Sequence, residues 1–379
     1  MIETKLPKVG TTIFTKMSAL AQACGALNLS QGFPDFEAPL ALREALGRQA
    51  MAGHNQYAPM AGLLRLREAV AASVALHRGV IVDPETEITI VPGATEGIFC
   101  TVQALVRAGD EVILFDPAYD SYEPAVDLAG GRAIRLPLTA PEFQIDWDRF
   151  EDALSDKTRL VMINSPHNPC GTNLESDALR RLAEFAERYD FYVCSDEVYE
   201  HLVYEGSHRS VLQELGLRER SVAHFSFGKT FSVTGWKTGY CIAPPALTAE
   251  LRKVHQYVAF VAVTPVQHAL ADFMEAEPNY AFQLADDYRH RRDVFLNALQ
   301  GSRFTWTPSQ GSFFQLLDYS AITDEPDHVL CERWTREHGV ASIPLTPFYR
   351  EAPKSTYLRF CFAKSDAVLL EAAQRLCAI

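Results

Sequence analysis

The sequence predicts an α/β fold in which a mostly parallel central sheet is joined to a second, smaller α+β unit. Short apolar runs of about five residues alternate along the chain with longer segments of helical periodicity. The runs contain no polar alternation, which is typical of strands buried on both faces of a parallel sheet. Towards the C-terminus the alternation of helix and strand changes its order, which indicates a separate unit.

The elements follow one another from about residue 41 onward. Apolar residues at helical spacing predict helices over Leu63–Leu76, Thr95–Arg107 and Glu175–Tyr189. Apolar runs predict five strands of the central sheet, over Glu111–Phe115, Arg159–Ile163, Phe191–Ser195, Val222–Ser226 and Gly239–Ala243. In the C-terminal part we predict helices over 278–300, 327–338 and 366–377, and strands over Arg303–Thr307, Ser312–Leu317 and Tyr357–Phe362.

These elements predict two domains preceded by an arm. We expect residues 41–280 to form the large domain and residues 281–379 to form the small C-terminal domain. Residues 1–40 have weak periodicity, and we expect them to form an N-terminal arm that also contributes to the small domain. A division by length alone would not predict a domain that is assembled from both ends of the chain.

The composition excludes several classes of protein. The 379 residues carry a formal net charge of −13, and nucleic-acid binding requires clustered basic residues, so a nucleic-acid partner is not expected. The eight cysteines form no CxxC pair, which indicates reduced thiols and no zinc site. The longest uninterrupted apolar stretch, Val258–Val263, is too short to span a membrane, so we expect a cytoplasmic protein.

Polar and aromatic residues follow the predicted strands. Asp196, Asn168, Lys229 and Tyr119 each come shortly after one of them. Because parallel strands end at one edge of a sheet, these side chains are expected to meet there. Taken singly, each is more often a turn former, a helix cap or a packing residue. Taken together, they predict a site at the carboxyl edge of the sheet.

The sequence around Lys229 restricts the kinds of cofactor site that the chain could form. Gly228-Lys229-Thr230 could indicate a phosphate loop, but that loop requires a glycine where Ala223 stands. No GxGxxG motif follows the first strand, which disfavours a nicotinamide-dependent dehydrogenase. Pyridoxal phosphate does require a lysine for its Schiff base, a carboxylate opposite the pyridine nitrogen, and helix N-terminal amides for its phosphate.

A family resemblance supports this hypothesis. The segment from Ser226 to Tyr240, SFGKTFSVTGWKTGY, resembles the cofactor-lysine signature of the class I/II aminotransferases of fold type I. Other motifs of that family follow in order: Ser30–Asp35, Gln56–Pro59, Pro92–Glu96, Asp116–Tyr119, Ser165–Gly171, Ser195–Tyr199 and Arg359–Lys364. The resemblance extends from about Thr11 to the end of the chain. It is nearest to the bacterial methionine aminotransferases and the kynurenine aminotransferase/glutamine transaminase K group.

The resemblance implies a role for each cofactor-binding residue. Lys229 would form the Schiff base with pyridoxal 5′-phosphate and move the substrate proton, and Asp196 would pair with the pyridine nitrogen. Tyr199 and Asn168 would contact the ring hydroxyl oxygen, and Tyr119 would stack on the ring. The phosphate would be bound by Ser226, Lys237, the amides of Ala94 and Thr95, and Tyr57 from the neighbouring subunit of a homodimer. Many class I enzymes have arginine where Lys237 stands.

The resemblance also implies the substrate site. Arg359 would bind the α-carboxylate through its two-pronged guanidinium, with Asn168 and the backbone of Gly32 nearby. The side-chain pocket would be lined by Phe14, Phe33, Tyr57, Phe260 and Phe348. Val261-Ala262-Val263 stands where glutamine transaminase K relatives tend to have a histidine, so the pocket favours apolar or aromatic side chains.

The function implied is transamination, in which the α-amino group of a methionine-like or aromatic amino acid passes to a 2-oxo acid in a ping-pong cycle. β-Elimination from cysteine conjugates would use the same residues and stays open. Succinyl-diaminopimelate or aspartate also stay open as donors, although an acidic side chain would require a second basic residue in the pocket. A cofactor-binding regulator would need a basic DNA-binding segment, which the sequence does not contain.

Overall fold

The computed structural model describes residues 3–351 and 353–379. Its strands are β1 (Leu27–Asn28), β2 (Ile88–Val91), β3 (Glu111–Asp116), β4 (Arg132–Pro137), β5 (Thr158–Asn164), β6 (Tyr192–Asp196), β7 (Ser221–Ser226), β8 (Gly239–Ile242), β9 (Phe314–Asp318), β10 (Val340–Ala341), β11 (Ile343–Pro344) and β12 (Tyr357–Cys361). Its helices are α1 (Ile13–Cys24), α2 (Leu40–Met51), α3 (Leu64–Arg78), α4 (Ala94–Leu105), α5 (Tyr122–Leu128), α6 (Trp147–Ala153), α7 (Ser176–Tyr189), α8 (Leu215–Arg218), α9 (Phe227–Thr230), α10 (Pro245–Val258), α11 (Thr264–Ala276), α12 (Leu284–Ala298), α13 (Asp327–Glu337) and α14 (Asp366–Cys377).

The central sheet has seven strands in the order β2-β8-β7-β6-β5-β3-β4. β8 runs antiparallel to both of its neighbours, and the other pairs are parallel. The prediction of a mostly parallel sheet is therefore confirmed, and all five predicted strands lie in it. The sequence analysis missed β2 and β4, the two edge strands. β2 has only four residues, and the charged Arg132 and Arg135 interrupt the apolar pattern of β4.

The C-terminal elements form a second sheet. β11, β12 and β9 pair in that order and antiparallel. The prediction of a strand over Arg303–Thr307 is wrong, because only Thr305 pairs, through one isolated bridge to Asp318. Pro308, which has no N–H to donate, follows that segment directly. The helix predicted over 278–300 is α12, preceded by a short 3₁₀ turn over Tyr280–Gln283.

The N-terminal residues pack on these C-terminal elements. β1 pairs in parallel with β10, Leu27 opposite Val340, and α1 packs against α13. The sequence analysis did not predict α1. Thr12 caps this helix with its side chain, and Gly25 ends it at φ 61°. The division at residues 40 and 280 stays a prediction, although these contacts join the two ends of the chain as it requires.

The parallel strands bring their carboxyl ends to one edge of the central sheet. β5 ends at Asn164, β6 at Asp196 and β7 at Ser226, and a short turn leads from β2 into α4. Strands β3, β5, β6 and β7 are almost entirely buried, so this edge of the sheet is rigidly held. Within residues 3–351 and 353–379, no helix is both long enough and apolar enough to cross a bilayer.

Candidate active site

A cavity of about 320 Å³ lies at this edge of the sheet. Twelve of the sixteen site residues predicted from the sequence line it: Phe14, Gly32, Ala94, Thr95, Tyr119, Asn168, Asp196, Tyr199, Ser226, Lys229, Lys237 and Arg359. The central sheet, the N-terminal segment and the C-terminal sheet all contribute lining residues. The cavity therefore lies between the central sheet and the elements formed by the two ends of the chain.

Lys229 lies in α9, directly after β7. The side chain of Ser226 caps this short helix by accepting a hydrogen bond from the Lys229 N–H at 3.3 Å. The Lys229 ammonium donates to the Gly32 carbonyl oxygen at 2.9 Å. Burial lowers the pKa of Lys229 to about 8, and the charges of Arg359 and Lys237 act in the same direction. A much larger fraction of this amine is therefore neutral, and nucleophilic, near pH 7 than in an ordinary lysine.

Asp196 is the last residue of β6 and is buried. Its Oδ2 accepts a hydrogen bond from the Tyr122 hydroxyl at 2.5 Å, and its Oδ1 accepts one from the Val198 N–H at 3.3 Å. Burial raises the pKa of Asp196 to about 6, although these hydrogen bonds oppose the rise. A buried carboxylate of this kind gains most from a cationic partner that enters the cavity, such as a protonated ring nitrogen.

The start of α4 faces the same cavity and has the features of an anion site. Gly93, at φ 80°, turns the chain into the helix, so that the N–H groups of Ala94 and Thr95 precede any intrahelical acceptor. A side chain added at Gly93 would meet the Lys237 Nζ at 3.2 Å. The hydroxyl of Ser226 completes a set of two amides, one hydroxyl and one ammonium, which suits a phosphate group.

Arg359 lies in β12 and is fully buried. Its Nη1 donates to Asn168 Oδ1 at 2.7 Å and its Nη2 to the Ser30 carbonyl at 2.9 Å, while its buried Nε has no hydrogen-bond partner among the described residues. The guanidinium carbon lies 3.9 Å from the ring centre of Phe314 and 5.1 Å from that of Phe14. Burial lowers the pKa of Arg359 to about 10, so the group stays charged at neutral pH.

The remaining predicted residues of the cavity are held by aromatic and amide contacts. The Tyr119 ring centre lies 6.4 Å from that of Phe14, and burial raises the pKa of Tyr119 to about 12. The buried Tyr199 packs edge-on against Phe313, with ring centres 5.0 Å apart. The backbone N–H of Asn168 donates to the Asn164 side chain at 2.7 Å. Burial also raises the pKa of Tyr199 well above its ordinary value, so both phenols are neutral in this site.

Four predicted site residues do not line the cavity: Tyr57, Phe33, Phe260 and Phe348. Tyr57 is 82% exposed, and its ring packs edge-on against that of Phe260, with centres 5.3 Å apart. Phe33 is 43% exposed, and the Lys364 ammonium lies 4.7 Å from its ring centre. Of the other proposed pocket aromatics, Phe260 is exposed, and Phe348 is buried against Phe14 without lining the cavity. A substrate role for these residues stays a prediction.

Sequence reasoning missed several lining residues, of which Tyr122, Asn164, Gln31 and Phe314 matter most for the chemistry. Tyr122 could have been predicted from the sequence, because it follows Tyr119 by three residues and so lies one turn away. Asn164 could also have been predicted, because it is the polar residue that ends β5. Gln31 and Phe314 reach the cavity only through the packing of distant segments, which no local pattern indicates.

Comparison with known proteins agrees with this geometry. The family model for aminotransferase class I and II matches residues 25–376. The methionine aminotransferase of Escherichia coli is 49% identical over 375 residues, which cover 99% of this chain and 97% of that protein. The kynurenine–oxoglutarate transaminase of Dictyostelium discoideum is 32% identical, with 97% of this chain and 94% of that protein covered.

The structural comparison gives the same family. The solved structure of N-succinyldiaminopimelate aminotransferase from Mycobacterium tuberculosis superimposes with a TM-score of 0.96 at 37% identity, with all of both chains covered. The architecture is that of the fold type I aminotransferases. With the lysine, carboxylate and arginine in one cavity, the chain belongs to the class I and II aminotransferase family and is a transaminase.

Proposed function

We propose that this chain uses pyridoxal 5′-phosphate to transfer the α-amino group of an apolar or aromatic amino acid, such as methionine, to a 2-oxo acid. The observation that carries the proposal is the presence of the Lys229 amine, the Asp196 carboxylate and the Arg359 guanidinium in a single cavity. The cavity also fits the cofactor, because the donors around Gly93 suit a phosphate, and because the Asp196 carboxylate, which the described residues meet with hydrogen bonds and no ion pair, suits a cationic ring nitrogen.

The cofactor would supply an electron sink that stabilises negative charge at the substrate Cα. Lys229, as a neutral amine, would accept the proton from Cα and later return it. Asp196 would stay ionised opposite the ring nitrogen, held by the Tyr122 hydroxyl and the Val198 N–H. Ser226, Lys237 and the amides of Ala94 and Thr95 would hold the phosphate.

Arg359 would orient the substrate. Its Nη1 and Nη2 are already held by Asn168 and Ser30, so the guanidinium is fixed before the substrate arrives. Its unpartnered Nε would be one donor to the α-carboxylate. Lys229 would have to lose a proton and release the Gly32 carbonyl oxygen before its neutral amine could hold the cofactor.

The choice of donor rests on the cavity lining. Among the residues that line the cavity in the described part of the chain, the cations are Lys229, Lys237 and Arg359, and each has a role above. None is left to bind a carboxylate in the donor's side chain, whereas Phe14, Tyr119 and Ile98 offer apolar surface. This disfavours aspartate and N-succinyldiaminopimelate, even though one relative is named for the latter.

A donor screen tests this proposal. The purified protein, loaded with pyridoxal 5′-phosphate, would be given each amino acid together with one fixed 2-oxo acid. We expect methionine, phenylalanine, tyrosine and kynurenine to be converted, and aspartate and N-succinyldiaminopimelate to be poor donors. Release of ammonia and pyruvate from a cysteine conjugate without any 2-oxo acid would favour β-elimination. Turnover of aspartate above methionine would refute the donor assignment.

The cofactor attachment has its own test. Borohydride reduction of the loaded protein should fix the cofactor covalently to the peptide that contains Lys229, as mass spectrometry would show. The Lys253-containing peptide serves as a control, because that lysine is exposed and paired with Glu250. Attachment at another lysine would refute the assignment of Lys229.

We also infer that the chain acts as a homodimer in which Tyr57 reaches the phosphate bound by the partner copy. Tyr257 in α10 and Val263 just after it expose large apolar side chains, as does Tyr57, whose ring packs on Phe260, and a second copy would cover them. Light scattering should give twice the chain mass of 42.2 kDa. In a dimer, Tyr57→Phe should weaken cofactor retention without changing the mass, and a monomeric wild-type protein with full activity would refute the proposal.

A further inference from the structure

Four charged side chains form a cluster beside the candidate site: Asp116 at the end of β3, Glu123 in α5, Arg135 in β4 and Arg350. The Arg135 Nη1 donates to Glu123 at 2.6 Å, and its Nε donates to Asp116. Arg350 donates to Glu123 with its side chain and to Asp116 Oδ2 with its backbone N–H at 3.0 Å. Two cations thus face two carboxylates, and the cluster joins the central sheet to the chain around Arg350.

Arg135 also holds the backbone of that chain segment, residues 346–350. Its Nη2 donates to the Phe348 carbonyl oxygen at 2.7 Å, and the same oxygen accepts the N–H of Ala118 at 2.8 Å. The buried ring of Phe348 packs edge-on against Phe14, with centres 5.8 Å apart. Its centre also lies 5.6 Å from the guanidinium carbon of Arg359. The segment therefore packs behind two residues of the candidate substrate site.

The guanidinium of Arg135 is suited to this role in a way that a lysine is not. Its donors reach three different elements at once, β3, α5 and the 346–350 segment, while the side chain is largely buried. A planar fork with fixed angles holds its partners in one arrangement, and a single ammonium cannot reach all three. Asp116 and Glu123 would keep Arg350 as a partner if Arg135 were removed, but the Phe348 carbonyl would lose its side-chain donor.

We propose that Arg135 is a positioning residue for the substrate carboxylate. It fixes residues 346–350 so that Phe348 supports Phe14 and Arg359 in the orientation that binds the donor and the 2-oxo acid. The inference rests on the proposed role of Arg359. It predicts that the loss of Arg135 weakens the binding of every substrate carboxylate and leaves the cofactor contacts from β6, β7 and α4 unchanged.

The test compares Arg135→Gln, Arg135→Lys and a matched control. Arg220→Gln is the control, because Arg220 also donates to a backbone carbonyl, that of Ala186 at 2.8 Å, but this carbonyl lies in α7 and not in residues 346–350. In Arg135→Gln we expect KM for methionine and for the 2-oxo acid to rise together, by roughly tenfold, with kcat changed less. Arg135→Lys should recover only part of this loss, and cofactor affinity should stay at the wild-type value.

Two measurements do not depend on turnover. Binding of 3-phenylpropionate, a carboxylate that carries no amino group, should weaken by a similar factor in Arg135→Gln. Amide exchange in peptides that span 345–350 should be faster in that variant, whereas peptides of β6 and β7 should exchange as in the wild type. If the wild type binds 3-phenylpropionate but converts no amino acid, the proposed function is refuted. The role of Arg135 can then still be measured from the binding of 3-phenylpropionate.

A double-mutant cycle separates positioning from general stability. Phe348→Leu should raise both KM values by itself, and adding Arg135→Gln should then have little further effect, because the two changes act on the same contact. Independent, multiplying effects would overturn the proposal, as would unchanged KM values and unchanged 3-phenylpropionate binding in folded Arg135→Gln. If that variant does not fold, Arg350→Ala loosens the same segment from its partly exposed side and must give the same paired rise in KM.

Discussion

The two regions that form the cavity hold their functional side chains in different ways. The carboxyl edge of the central sheet presents Asp196 and Lys229 at or just after the ends of buried strands. The other region joins Arg359 of β12 to the Ser30 carbonyl, 329 residues away along the chain. The first arrangement is local and rigid, and the second depends on tertiary packing. Substitutions at the sheet edge should therefore abolish chemistry or cofactor binding, and those in the second region should mainly weaken substrate binding.

The largest expected effect is that of Lys229→Ala. Lys237, the other lysine among the described lining residues, is assigned to the phosphate, so no second amine replaces that of Lys229, and transamination should fall by at least about a thousandfold. The measurement is the single-turnover rate with methionine. Lys253→Ala, an exposed change, should leave that rate unchanged. A Lys229→Ala variant with wild-type turnover would contradict the assignment of the chemistry to the sheet edge.

Asp196→Asn should follow, with a fall in kcat of roughly a hundred- to a thousandfold. An amide keeps the shape of the side chain but cannot stabilise a cationic ring nitrogen. Tyr122→Phe removes only one hydrogen bond to this carboxylate, so its effect should be clearly smaller. Rates measured for both variants at saturating cofactor would check this order. Equal losses would indicate that Tyr122 contributes more than support for Asp196.

Arg359→Lys should weaken the binding of both substrates. The loss of bidentate geometry costs about 1.5–3 kcal/mol for a charged hydrogen bond, which corresponds to a rise in KM of roughly ten- to a hundredfold. Both the amino donor and the 2-oxo acid should be affected, because both carry the carboxylate. Arg375→Lys, at a partly exposed pair with Glu371, is the control. A change in kcat alone would contradict the assignment of Arg359 to substrate binding.

The smallest effect concerns stability. The folded pKa of Lys229 lies below its unfolded value, so burying the charged amine costs free energy below about pH 8, and the cost disappears as pH rises towards the ordinary lysine pKa. Lys229→Met should therefore raise the Tm of the cofactor-free protein by a few degrees at pH 7 and have less effect at pH 10. Thermal scans at both pH values would check the sign, and a lower Tm at pH 7 would contradict it.

The sequence was sufficient for the sheet edge because its signals are local. Five buried strands appeared as apolar runs, and the residues after them gave Asp196, Asn168 and Lys229. The edge strands escaped prediction because β2 has only four residues and because Arg132 and Arg135 interrupt the apolar run of β4. Helix α1 escaped because the apolar periodicity of the first 40 residues is weak, and its packing on α13 and β10 exists only in the folded chain. Gln31 and Phe314 could not be found either, since their proximity to the cavity is created by distant segments.

The resemblance added what local patterns could not supply. Arg359 lies in a strand whose sequence alone gives no reason to expect a buried cation facing a cavity. Tyr57 and Phe33 show the converse case: the resemblance implies site roles for them, but in a single chain both lie outside the cavity lining. For Tyr57 the proposed second copy would account for this position.

The Nε of Arg359, which has no hydrogen-bond partner in the described part of the chain, affects the stability of the protein in the presence of its substrates. A buried donor without an acceptor costs free energy in the unliganded fold. Any carboxylate that bonds to it relieves this cost in the native state and not in the unfolded chain. By mass action, rising concentrations of amino and 2-oxo acids then shift the folding equilibrium towards the native protein. The pool of metabolites that the enzyme consumes would thereby also protect it from unfolding and proteolysis.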